Sequence, residues 1–145
     1  MLNALSKPLM IGIYQDDKLV KSIESEEKAS EFVPKILKIL LKEFSFDELI
    51  YANGPGSYMG IKISYVSLRT LSIVKNIPLF AISAFELNNN QPIAAHKNMC
   101  FVKKEDEIIL EENTAGEFFL PPNLSKLNKK DDNLPFYFLS AIQRI

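Results

Sequence analysis

The sequence predicts an α/β fold, and three features carry the prediction. Short apolar runs of strand length alternate with two long stretches of helical periodicity. At the centre, Leu49-Ile50-Tyr51-Ala52 runs into Asn53-Gly54-Pro55-Gly56-Ser57, and a proline-free segment follows as far as Lys75. That order reads as a buried strand, a glycine turn and a helix. A further β-compatible run, Ile77 to Ser83, follows the helix, with Pro78 confined to its start. The chain has 145 residues, enough for one domain or two small ones, and its 17 basic and 18 acidic side chains give no push toward nucleic acid or an acidic ligand.

From the N-terminus, Leu9 to Tyr14 and Leu19 to Ile23 flank Gln15-Asp16-Asp17-Lys18, which predicts a hairpin with a polar turn. Turn chemistry accounts for the paired aspartates more simply than metal or acid chemistry does. Ser25 to Phe44 has helical spacing, with Phe32, Val33, Ile36, Leu37, Ile39, Leu40, Leu41 and Phe44 spread over an arc of roughly 200°. A helix on a sheet needs an apolar stripe of about 100°, so one edge calls for cover by a partner or by the chain's own C-terminal part. Pro34 falls either in the first turn of a helix beginning near Ser30 or at a kink in a longer one.

Ser57 sits where an N-cap belongs, opening a second helix to Lys75 that is apolar nearly all round. Gly60, Ser64 and Ser67 cluster on one of its faces, where small side chains allow close approach of another backbone, and Lys62 and Arg69 lie opposite. The helix is expected to lie between its sheet and another helix. Gly54, Pro55, Gly56 and Ser57 form a tight structural turn whose alternative reading is an anion site at a helix N-terminus. A Walker loop would require Gly-Lys-Ser/Thr, whereas Gly60 is followed by Ile61 and Lys62, with Ser64 one place too late.

Ala84-Phe85-Glu86-Leu87 opens a helix that Asn88-Asn89-Asn90-Gln91-Pro92 soon stops, and a boundary fits there. The expected domains are 1–87 and 88–145. In the second, Ile93 to His96, Met99 to Val102 and Glu107 to Leu110 read as strands, with a charged turn at Lys103 to Asp106, and the loop-rich remainder ends in Phe136-Tyr137-Phe138-Leu139. His96 and Cys100 are the sole histidine and cysteine, four apart in strand-like sequence, which is not a metal-ligand or nucleophile pair. One cysteine, the lack of a basic, cleavable leader and the absence of an apolar run of about twenty residues give a cytoplasmic expectation without a membrane span.

Gly54-Pro55-Gly56-Ser57-Tyr58-Met59-Gly60-Ile61-Lys62-Ile63, followed by Ile77-Pro78-Leu79 and Ala81-Ile82-Ser83-Ala84-Phe85-Glu86, resembles the signature of the TsaB (YeaZ) family. The resemblance extends over about Pro8 to Leu87, including the aspartate hairpin and the proline-bearing, leucine-rich first helix. It implies an actin, sugar kinase and Hsp70-like fold (ribonuclease H-like), in which a mixed sheet is flanked by helices, with a reduced second lobe. It also implies a non-catalytic subunit that pairs with a TsaD-like transferase, and with itself in isolation, through the first two helices. Together with a TsaE-like ATPase, the complex installs threonylcarbamoyl on tRNA adenosine. On this reading the interface residues are Phe32, Ile36, Leu40, Gly60, Ser64 and Ser67. No cofactor belongs to this chain, ATP belongs to partner subunits, and tRNA is met indirectly.

The sequence departs from the family pattern in several places. Met1-Leu2 alone stands before Asn3-Ala4-Leu5-Ser6 where a full strand and Asp-Thr-Ser are usual; Tyr58-Met59 replaces Phe-Thr; and the second lobe is short. Two rival readings stand beside the scaffold. One is a nucleotide-dependent ATPase or phosphotransferase using the Gly54 to Ser57 turn; the other is a homodimerising module with no tRNA link. A peptidase reading finds no nucleophile with its base and no metal-ligand cluster.

Overall fold

The structure is a computed structural model, and it describes residues 1–137. A five-stranded sheet comprises β1 (Leu2–Asn3), β2 (Leu9–Gln15), β3 (Lys18–Ser25), β4 (Leu49–Ala52) and β5 (Leu79–Ile82), in the order β3-β2-β1-β4-β5. The hairpin strands pair antiparallel, whereas β4 is parallel to both β1 and β5, so the sheet is mixed. Helices α1 (Ala29–Glu43) and α2 (Tyr58–Lys75) pack together, and their inner side chains join one core cluster with Leu9, Ile11, Ile13, Tyr51 and Ala81.

Local chemistry places the boundaries. Asp16 and Asp17 both take positive φ, 53° and 65°, the backbone of a two-residue hairpin turn. The Ser57 hydroxyl accepts the Gly60 N–H at 3.1 Å, and α2 ends on Asn76 in the left-handed conformation. The first helix begins at Ala29 rather than Ser25, because Ser25 pairs with Leu9 and keeps β3 extended. Pro34 therefore lies just beyond the first turn, where its missing N–H leaves the Ser30 carbonyl without a helical donor. Ala84–Leu87 forms a single 3-10 turn capped by the Ser83 hydroxyl.

A second, antiparallel sheet follows in simple meander order: β6 (Ile93–His96), β7 (Met99–Lys104) and β8 (Glu107–Glu112). Its inner residues Ile93, Phe101 and Ile108 join a second core cluster with Ile50, Ile82, Phe85 and Leu87. The remaining tail crosses between the two edges of the larger sheet. It pairs with β3 through Lys18 and Asn123, then with β5 through reciprocal bonds between Ala81 and Lys130. Such pairing covers sheet edges that would otherwise offer open backbone groups. Of the apolar run expected near the C-terminus, Phe136 and Tyr137 are described; Phe138 and Leu139 lie outside the described residues.

Candidate protein-interaction site

The glycine turn is held by the chain itself. Gly54 has φ +124°, a conformation that L side chains rarely adopt, and a Cβ there would overlap the Phe136 carbonyl oxygen. The Gly54 carbonyl accepts from Ala84 N–H, Asn53 N–H donates to the Ile82 carbonyl while its own carbonyl accepts from Phe136 N–H, and Ser57 N–H donates to the Leu5 carbonyl. Pro55 has no N–H, and the backbone N–H groups of Ser57 and Gly60 are spent internally, so neither is left for an anion.

The six residues expected to meet a partner are placed largely inside the chain. Phe32, Ile36 and Leu40 are 5, 9 and 2% exposed and pack in the helix-side core. Gly60 is buried because α2 approaches the chain after β1 so closely that a Cβ would overlap the Ala4 carbonyl oxygen. Ser64 is 1% exposed, its hydroxyl donating to the Gly60 carbonyl at 2.7 Å; Ser67 is half-buried. The small-residue face thus serves this chain's own backbone contact, and of the six only Ser67 reaches the surface.

What α2 leaves open is the opposite face. Tyr58, Val66 and Ile73 recur at helical spacing with Lys62 and Arg69 among them, flanked by Met59 and Val74. The five apolar members are 54 to 74% exposed. Ile39 on α1, at 46%, is the part of the broad first-helix arc that stays outside. A cavity of ≈ 500 Å³ opens between the first turns of the two helices, lined by Lys7, Lys28, Met59 and Ile63 among others, and it shares Met59 with the exposed face. The sequence marked this side of α2 through Lys62 and Arg69, opposite the small-residue face, but as a narrow wet strip and not as an apolar contact surface.

Among the described residues, no group of three or more His, Cys, Asp or Glu side chains could hold a metal. His96 is exposed, while the buried Cys100 thiol donates to the Asn113 carbonyl at 3.3 Å. Tyr51 is fully buried, its hydroxyl donating to the Asn133 carbonyl, and burial raises its pKa. Tyr14 donates to the Pro121 carbonyl at 2.7 Å, and burial pushes its phenol up to about 12. Both phenols anchor the tail.

The Met1 amine donates to the Gly12 carbonyl at 2.6 Å, and burial lowers its pKa to about 5 from 8.0. Between those values the unfolded chain binds the extra proton, so stability is expected to rise from pH 5 to pH 8, by at most about 4 kcal/mol. Urea titrations across that range check this, and acetylating the Met1 amine should remove the slope.

Taken as a class, this is an α/β protein built on a mixed five-stranded sheet, with two helices on one face and an exposed apolar strip along the second helix. No protein-family model matches the chain, and no curated protein sequence matches it. Among solved structures it is similar in fold to YeaZ from Pseudomonas aeruginosa, with TM-score 0.50 and 16% identity, covering 79% of this chain. It spans 64% of the length of that structure. A second similar structure is described as an uncharacterized protein with similarity to peptidase YeaZ from Pseudomonas aeruginosa; it gives TM-score 0.50 and 15% identity over 86% of this chain and 70% of the other. No helix among the described residues is long and apolar enough to cross a membrane.

Proposed function

We propose that this chain is a non-catalytic scaffold subunit of a tRNA threonylcarbamoyladenosine-forming complex, docking a TsaD-like transferase on the outer face of α2. The observation that carries the reading is the exposed apolar strip Tyr58, Val66 and Ile73 on a fold similar to YeaZ. A large side chain left in water is common, but several along one helix face mark a contact surface. In this reading the sheet and its helices are the N-terminal lobe of an actin-like superfold, 1–87, and 88–145 is a shortened second lobe. The nearly even charge supports tRNA contact by way of the partner, which would have to supply the basic surface. The tail bonded over the glycine turn favours the scaffold over an ATP-binding alternative.

Light scattering and calorimetric titration of the chain with the TsaD-like protein of its own source test the proposal. A one-to-one complex is expected, weakened about 100-fold or more by Val66→Glu or Ile73→Lys, because each would bury an unpaired charge. A chain that self-associates through the same face and ignores the transferase would leave only the homodimerising module.

A further inference from the structure

The exposed strip on α2 has a charge pattern as well as an apolar one. Tyr58, Lys62, Val66, Arg69 and Ile73 follow one another at steps of three or four residues, which sets them along one line about 22 Å long, and all five are exposed. Every charged residue of α2 is basic: Lys62, Arg69 and Lys75. Neither Lys62 nor Arg69 has an ion-pair partner among the described residues. In α1, beside it in the same layer, Lys35, Lys38 and Lys42 stand against Glu31 and Glu43, and Glu43 is already paired with Lys21 at 3.1 Å. The strip is also nearly symmetric about its middle. Two copies laid antiparallel about a two-fold axis near Val66 bring Tyr58 of each opposite Ile73 of the other, but Lys62 of each opposite Arg69 of the other. A parallel pairing sets Lys62 against Lys62 and Arg69 against Arg69. In both arrangements the apolar residues match and the charges repel, losing hydration without gaining a carboxylate.

We propose that Lys62 and Arg69 set the specificity of this face: they disfavour pairing with a second copy and select a different protein, one presenting a helix with apolar residues and two carboxylates seven residues apart. That spacing puts two side chains on one helix face two turns apart, as it does Lys62 and Arg69. The Arg69 guanidinium offers a planar fork to one carboxylate, and the Lys62 ammonium a point charge to the other. Val66 lies between the cations and Ile73 beyond them, 54 and 65% exposed. Aliphatic side chains so placed fit the apolar core of a protein interface, whereas the phosphates of an RNA would leave them in water. The inference rests on the reading of this face as a docking surface, and it opposes the self-pairing that the family resemblance implies.

The test takes the acidic partner from the chain itself, as the Lys62→Glu, Arg69→Glu double variant. In sedimentation velocity of the full 145-residue chain, the natural sequence and the double variant should each be monomeric up to about 0.3 mM, and their equimolar mixture should form a one-to-one dimer. That dimer should weaken at least about tenfold when Val66→Asn is added to both members, which buries an unpaired amide, and should weaken further as salt rises. Circular dichroism should be unchanged throughout, because the replaced side chains are exposed. A natural chain that dimerises alone and is made monomeric by Val66→Asn overturns the proposal, as does a mixture that stays monomeric. So does saturable binding of a single-stranded RNA oligonucleotide that the double variant loses and Val66→Asn keeps, since phosphates would then be what the cations serve. The functional reading is tested apart from this. A mixed dimer without any complex with the TsaD-like transferase overturns that reading and leaves the specificity of the face standing, whereas a transferase complex that the double variant does not weaken does the reverse.

Discussion

Gly60→Ala is expected to cost the chain more than about 3 kcal/mol, although alanine is ordinarily the better helix former by about 1 kcal/mol. The reason is a backbone contact. The added Cβ would overlap the Ala4 carbonyl oxygen, and neither main chain can rotate away as a side chain could. Relief requires α2 to lift from the segment after β1, opening the core that Leu68 shares with Leu2 and Leu9. Urea unfolding should show the midpoint falling with little change in slope. Gly116→Ala is the control. Its Cβ would meet the Gln91 amide, which can move, and the Gln91 Cβ at 2.6 Å, which is tied to its backbone, so a loss of about 1 kcal/mol, smaller than at Gly60, is expected. Equal stability of the Gly60 variant and the wild type would show that α2 does not approach Ala4 as closely as described.

Ile36→Asp and Ser64→Arg should likewise unfold the chain, whereas Val66→Glu and Ile73→Lys should leave it folded. Ile36 is 9% exposed in an apolar cluster, so a carboxylate there would lie among hydrocarbon neighbours; a loss of about 4 kcal/mol or more follows, close to the whole stability of many small domains. Arginine at position 64 must fit where a serine is 1% exposed, and it forfeits the bond to the Gly60 carbonyl. Val66 and Ile73 are 54 and 65% exposed, and lysine near the end of a helix complements its dipole, so changes within about 0.5 kcal/mol are expected. Circular dichroism with urea titration separates the pairs. Lost partner binding by the first pair would then report unfolding, and by the second pair a surface contact. If Ile36→Asp stays folded and stable, the helix-side core is not packed as described.

Local chemistry made much of the fold legible. The Asp16-Asp17 turn, the Ser57 cap and the strand ahead of Gly54 depend on residues within a few positions of one another, and each occurs where the sequence puts it. The start of α1 was not legible in the same way, because a strand pairing with Leu9 holds Ser25 extended. Helix faces were harder still. Apolar periodicity gives the width of a stripe and not which edge the sheet takes, so Phe32, Ile36 and Leu40 read equally well as core and as contact surface. Small residues are similarly ambiguous. The cluster at Gly60 and Ser64 signals close approach, but whether the approaching backbone is a partner's or Ala4 is a question of packing.

By itself the sequence determined an α/β chain centred on a strand, a glycine turn and a capped helix, with more apolar helix surface than one sheet face can cover. Tertiary structure decided which surface that is, by setting Gly60 against Ala4 and so turning Tyr58, Val66 and Ile73 outward. It also decided that the tail runs from β3 to β5 and bonds over the glycine turn. These outcomes rest on contacts between residues far apart in the chain, and periodicity, capping and turn chemistry act only over a few neighbouring residues.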